Sequence, residues 1–192
     1  NMYKIHDAAA NLYHKTLFSE RGQRSLKYLM DRGLSRKSIE FFKVGFAPES
    51  SKYLLNSIRS DGYEKQVLEK CGLFGSSKNE FFDRFRSRIM FPIWNASSKI
   101  VGFGGRVFAS DDPAKYMNSP ETPIYKKSDI FYGLHQARES IRKEGFAILV
   151  EGYTDVIQLF QNKIKNCVAV SGTAFSDRHV KQMKRFTTKV LL

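Results

Sequence analysis

Phe146-Ala147-Ile148-Leu149-Val150-Glu151-Gly152-Tyr153-Thr154-Asp155 joins an apolar run directly to a carboxylate, a glycine and a second carboxylate. Five apolar residues after a charged stretch predict a buried strand. Gly152 permits a tight turn, and Val156, Ile157, Leu159 and Phe160 then fall at helical spacing. Glu151 thus stands at the carboxyl end of a strand, where open α/β sheets gather their ligands. Asp155 follows at the start of the helix, so both carboxylates can face one crevice, and such oxygen ligands suit Mg²⁺. The same residues admit a structural account, a Glu-Gly strand end with an aspartate favouring the helix N-terminus. The junction alone does not separate the two.

Outward from it, Leu134 to Lys143 predicts a helix leading into the strand. A helix to about Asn162, a strand at Cys167–Val170, a helix from Asp177 to Phe186 and an extended Val190-Leu191-Leu192 follow. That β-α-β-α-β order implies a parallel sheet. The N-terminal half reads differently. Tyr3 to Phe18 is helical, with Ile5, Ala8, Ala9, Leu12 and Tyr13 as its apolar stripe. Arg24 to Asp31 is a second helix stopped by Gly33, and Ser35 caps a third. Lys43 to Pro48 is a short extended piece, and short helices span roughly Lys52 to Arg59 and Glu64 to Cys71. Arg88 to Trp94 and Ile100 to Val107 are strands joined by the polar turn Asn95 to Lys99. Asp111 to Ser128 is a long polar segment, and a loop of that length usually has a function. The expected fold is therefore an α+β N-terminal part, residues 1–144, followed by part of an α/β fold with a parallel sheet, residues 145–192.

The chain has 192 residues and a formal net charge of +13, which implies a polyanionic partner, nucleic acid before membrane. No apolar run reaches transmembrane length and no secretory leader opens the sequence, so a reducing, cytosolic setting without membrane contact is expected. Cys71 and Cys167 are isolated, which excludes a disulfide framework. His6, His14, His135 and His179 are scattered, none at metal-ligand spacing. Ser171 and Thr173 follow the second strand of the C-terminal part, where a hydroxyl either reaches a phosphate or shapes the turn.

Arg84, Arg86 and Arg88 alternate at strand spacing, so a shared face is expected, either a solvated edge or a phosphate-binding rail. Val101-Gly102-Phe103-Gly104-Gly105-Arg106-Val107 holds three glycines in a strand, which points to close approach of another backbone. The spacing matches no Walker or dinucleotide loop. Lys115-Tyr116-Met117-Asn118-Ser119-Pro120-Glu121-Thr122-Pro123 is expected to be irregular, with Tyr116 placed to stack on a base and Lys115 and Lys127 to meet phosphates.

These stretches carry a resemblance. Glu151 to Val156, EGYTDV, resembles the first motif of the Toprim domain shared by primases, topoisomerases and some nucleases. Lys115 to Thr122 resembles the KYLNSPET motif of DnaG-type primases, Arg84 to Ile93 their RFRxRxMFPI, and Phe131 to Leu134 their LYGL. Arg32 to Ser35 and Val44 to Pro48 are similar to their RGLS and IGFAP elements. The resemblance implies copying of single-stranded DNA into short RNA primers from NTPs with Mg²⁺ or Mn²⁺. It makes Glu151 and Asp155 metal-binding and catalytic, and Lys115 and Lys127 catalytic-surface residues. Arg32 and Arg106 become contacts in a basic nucleic-acid groove and Tyr116 and Asn118 contacts to nucleic acid or nucleotide, to which Arg84, Arg86 and Arg88 would add if their alternation forms the phosphate-binding rail. It also implies a second Asp-x-Asp cluster beyond the last strand, which this sequence lacks. The expectations are therefore weak metal binding and no primer synthesis by this stretch alone. Zinc is expected only in a Cys/His module, and the replicative helicase only at a region, that this stretch does not contain. A monomer is expected. The alternatives are another Toprim enzyme, a topoisomerase or nuclease, or a single-stranded-DNA-binding module without chemistry.

Overall fold

A computed structural model describes residues 1–58, 62–78, 80–109, 112–170, 172 and 174–192. Arg59, Asp111, Ser171 and Thr173, each named above, lie outside them. The N-terminal part is built on an antiparallel sheet of β1 (Gly45–Ala47), β4 (Arg88–Trp94), β5 (Ile100–Val107) and β6 (Tyr116–Asn118), in the order β1-β4-β5-β6. β4 is buried along nearly its whole length, so both sheet faces are covered. Met90 and Phe103 pack with Ile5, Ala9 and Tyr13 of α1 (Met2–Leu17). Ile89, Phe91 and Ile93 face the other core, with Leu29 of α2 (Gln23–Asp31), Ile39 of α3 (Arg36–Phe41) and Val156 and Ile157 of α7 (Tyr153–Gln161). Pro92 is tolerated in β4 because the β1 register ends at Met90. As expected, Ser35 caps α3 by accepting from the Ser38 N–H, 3.2 Å.

Two short helices, α4 (Tyr53–Ile58) and α5 (Lys65–Lys70), flank a hairpin of β2 (Phe74–Ser77) and β3 (Glu80–Asp83) that the sequence reading had not placed. Buried Asp83 at the end of β3 accepts from the Leu54 and Leu55 N–H groups, 2.6 and 3.0 Å, and so caps α4.

The second sheet has the order β10-β8-β9-β7, from β7 (Phe131–Tyr132), β8 (Ala147–Val150), β9 (Cys167–Val170) and β10 (Val190–Leu191). β10, β8 and β9 are parallel, as the alternation of strands and helices requires; β7 pairs antiparallel with β9, which makes the sheet mixed. β7 and α6 (Leu134–Glu144), although they precede residue 145, belong to this layer: Phe131, Leu134, Ala137 and Ile141 share a core with Ala147, Val168 and Met183. α8 (Asp177–Met183) lies with α6 on one face, and α7 covers the other face and meets the first sheet. No described helix is long and apolar enough to cross a membrane.

Candidate active-site cleft

Glu151 and Asp155 end up where the strand–helix junction predicts, in one cleft of ≈ 380 Å³ that they line with Arg32, Tyr116, Asn118 and Tyr153. Both carboxylates are exposed. Asp155 is also structural, because its Oδ2 accepts from the Gly152 N–H at 3.0 Å and closes the first turn of α7. Glu151 makes no side-chain hydrogen bond among the described residues. Those residues contain no cluster of three His, Cys, Asp or Glu able to hold a metal ion. The pair fits half of a divalent-cation site, with Asp155 Oδ2 already committed to the helix cap.

The opposite wall comes from β6. Within the segment expected to be irregular, Tyr116–Asn118 form an edge strand, with Tyr116 opposite Arg106 and Asn118 opposite Gly104 of β5. This leaves the Tyr116 ring 47% exposed at the cleft. Asn118 is fixed from two sides. Its Oδ1 accepts from Tyr153 Oη at 2.6 Å, and a Cβ at Gly172 would lie 2.5 Å from its Nδ2. Gly172 itself has φ +69°, a left-handed conformation that favours glycine.

Arg32 and Arg106 converge. Their guanidinium carbons lie 5.7 and 4.9 Å from the centroid of one ring, Tyr28. Each contact contributes on the order of 0.5–1 kcal/mol at such an exposed site. Both guanidinium groups are thereby placed near one aromatic side chain, and guanidinium is the cation best suited to bidentate contact with phosphate. Gln158 Nε2 donates to the Arg32 carbonyl at 2.9 Å, and Gln161 Nε2 to the Gly33 carbonyl at 2.7 Å. Helix α7 therefore fixes the Arg32 turn from the same element that carries Asp155. Tyr28 and Tyr153 are the residues that the sequence reading missed. The signals were available: Tyr28 precedes Arg32 by one helical turn, and Tyr153 sits inside EGYTDV.

The three-arginine rail does not form. Ser87 has φ +49°, and the strand begins only at Arg88, so the alternation breaks between Arg86 and Arg88. Arg88 is 1% exposed and donates to the Gly105 and Ala114 carbonyls and to Asp112. The Asp112 carboxyl is held below its usual range by the Ala114 N–H first and by Arg88 second. Arg84 turns inward to donate to the Phe74 carbonyl at 3.4 Å, and Arg86 alone of the three is exposed. Lys115 is exposed beside Tyr116, and its carbonyl accepts from the Val107 N–H at 2.9 Å. The three glycines of β5 receive side chains rather than another backbone: Tyr153 at Gly104, Phe85 and Arg88 at Gly105, and Tyr125 and Ser119 at Gly102.

Lys127 lies in a 3-10 turn, Lys127–Asp129, and is not among the cleft-lining residues. Its carbonyl accepts from Nε2 of buried His179 at 3.0 Å. The Ser176 N–H donates to His179 Nδ1, which fixes the neutral tautomer with the proton on Nε2. Burial lowers the pKa of His179, with the Lys127 and Ile130 backbone and Asp129 opposing, and burial lowers those of His6 and His135 as well. A histidine whose folded pKa is depressed adds stability above its unfolded value of about 6.5, and that stability is lost as pH falls through the folded value. The thermal midpoint is therefore expected to drop between pH 7 and pH 5, and His179→Gln to make the drop shallower. An unchanged slope in the variant would remove His179 from this account.

Residues 12–138 match the family model for the DNA primase catalytic core, N-terminal domain, and residues 145–192 match the Toprim domain. The DNA primase of Staphylococcus aureus (strain COL) is 38% identical over 194 residues, covering 100% of this chain and 32% of that protein. The chain thus spans about a third of the length of the curated relatives it matches. Among solved structures, the RNA polymerase domain of Mycobacterium tuberculosis primase DnaG superposes with a TM-score of 0.92 at 35% identity, over 96% of this chain and 60% of that one. A DnaG primase catalytic domain bound to ssDNA gives a TM-score of 0.89 at 36% identity, over 98% of this chain and 59% of that one.

Proposed function

The chain belongs to the DNA primase catalytic-core family, and we propose that it supplies the template-binding wall and the first acidic residues of an enzyme that makes RNA primers on single-stranded DNA. The observation that carries this reading is the cleft, where Glu151 and Asp155 face Arg32, Tyr116 and Asn118 across ≈ 380 Å³. Phosphoryl transfer needs that opposition, basic and aromatic groups for the polyanion and carboxylates for the cation that neutralises the triphosphate.

Arg32 and Arg106 would hold template phosphates over Tyr28, and Lys115 and Arg86 would extend that surface. Tyr116 would stack on a base and Asn118 would position it or the incoming NTP. Lys127 would serve the same surface from the turn held by His179. Arg84 and Arg88 act through the fold, shaping β4 and β5. A divalent cation, Mg²⁺ or Mn²⁺, would supply charge neutralisation when bound by Glu151 and the remaining oxygen of Asp155. The setting is the replication machinery of the cytoplasm. A role as a noncatalytic DNA-binding module fits the half-built metal site; no observation favours a topoisomerase or nuclease.

Binding of single-stranded DNA, followed by fluorescence anisotropy against salt, tests this reading. Each lost phosphate contact should flatten the slope of log K against log salt by about 0.7. The paired change Arg106→Gln and Lys115→Gln is expected to weaken binding and flatten the slope. Tyr116→Ala should weaken it by about 1–3 kcal/mol with the slope unchanged. Equal losses from Lys52→Gln with Lys65→Gln, far from the cleft, would refute a localised surface.

A further inference from the structure

We infer that the outward face of α8 and the turn continuing it is a second phosphate-binding surface, which carries a nucleic-acid strand away from the cleft. The inference rests on the proposed DNA-binding function. Arg178, Lys181, Lys184 and Arg185 are all exposed. The Lys184 N–H still bonds to the Val180 carbonyl at 2.9 Å, so the helical path continues past Met183. Arg178, Lys181 and Arg185 therefore fall on one stripe about 10 Å long.

The charge pattern is what needs an external partner. Three other helices each pair an exposed basic residue with a carboxylate one turn away: Lys27 with Asp31 at 2.8 Å in α2, Arg36 with Glu40 at 3.0 Å in α3, and Lys65 with Glu69 at 3.9 Å in α5. From residue 177 to 189, Asp177 is the one acidic residue against five basic ones. Arg178 meets Asp129 at 3.6 Å, and no ion pair involves Lys181, Lys184 or Arg185 among the described residues. Like charges three and four residues apart destabilise a helix by about 0.2–0.5 kcal/mol per pair. The helix dipole favours Lys184 and Arg185 at the C-terminal end and disfavours Arg178 in the first turn.

Two further features select nucleic acid over an acidic protein. The segment leading into α8 starts at the cleft, which Gly172 lines, and His179 of α8 binds the turn bearing Lys127. At that same end Phe175 is 43% exposed, with its ring stacked on His179 at 5.9 Å and 11°, which supports it as a platform for a base.

The test compares oligodeoxynucleotides of about six and about thirty nucleotides, the shorter filling only the cleft. The triple variant Lys181→Gln, Lys184→Gln and Arg185→Gln should leave the short oligonucleotide within about twofold of the parent chain. It should weaken the long one on the order of tenfold to a hundredfold and flatten its salt slope by about 2. Phe175→Ala should weaken only the long oligonucleotide, with no change of slope. The inference fails if the triple variant leaves long-DNA binding intact. It fails equally if both lengths weaken alike, or if Lys4→Gln, Lys65→Gln and Lys70→Gln together do as much. A parent chain that binds the short DNA but gains nothing from the longer one would remove the second surface and leave the proposed function standing. Binding of neither length would remove the proposed function itself.

Discussion

Glu151→Gln, placed in a primase polypeptide of the relatives' length that carries this sequence, is expected to lower primer synthesis by roughly two to three powers of ten. A carboxylate that helps hold a catalytic cation supports several kcal/mol of charge stabilisation, and about 1.4 kcal/mol corresponds to tenfold in rate. The variant is informative because Glu151 is exposed at the end of β8 and has no side-chain hydrogen bond to lose among the described residues. Its thermal stability should stay within about 0.5 kcal/mol of the parent. Single-stranded DNA should bind as well or slightly better, since a negative charge leaves a basic cleft. Asp155 behaves differently. Asp155→Ala removes the cap on the Gly152 N–H, which should reduce stability by about 0.5–2 kcal/mol along with activity. Near-parental synthesis by a folded Glu151→Gln enzyme would sink the assignment of this cleft.

The acidic half of the site was legible because its signal is local. A buried strand, a glycine and a helix fix where Glu151 and Asp155 point, whatever packs around them. The long helices α1, α6 and α7 and the strands β4, β5, β8 and β9 were legible for the same reason, each carrying a periodicity of its own. The elements that escaped have no such pattern. β6 and β7 contain three and two residues and are strands only because β5 and β9 pair with them. Arg88 shows the limit most sharply. Alternation assigned it to an exposed face, and a single positive φ at Ser87 turned it into the core. The basic half was legible as residue types and not as geometry. That Arg32 and Arg106 both reach the Tyr28 ring is a tertiary fact that no spacing encodes.

The same tertiary logic makes Gly104 and Tyr153 a tightly coupled pair. Tyr153 opens α7, stacks on Phe91 at 5.1 Å and meets Tyr132 edge-on at 4.7 Å. A Cβ at Gly104 would sit 2.3 Å from Tyr153 Cζ and 2.5 Å from its Oη. Gly104→Ala must therefore push the ring off β5, and overpacking of this kind costs about 1–3 kcal/mol. Displacing the ring also breaks the Tyr153–Asn118 hydrogen bond, one link from the acidic wall to the β6 wall. Tyr153→Ala instead leaves a cavity, at about 3–5 kcal/mol for a buried aromatic ring. With Tyr153 already truncated, the methyl at Gly104 enters empty space. The double variant should then be no less stable than Tyr153→Ala alone, a coupling on the order of 1–3 kcal/mol measurable by denaturant unfolding. Tyr153→Phe keeps the packing and removes only the hydroxyl, so it should lose about 0.5–1.5 kcal/mol together with the bond to Asn118. Additive losses in the double variant would mean that the ring does not rest on Gly104, and the two walls of the cleft would then be joined by something other than Tyr153.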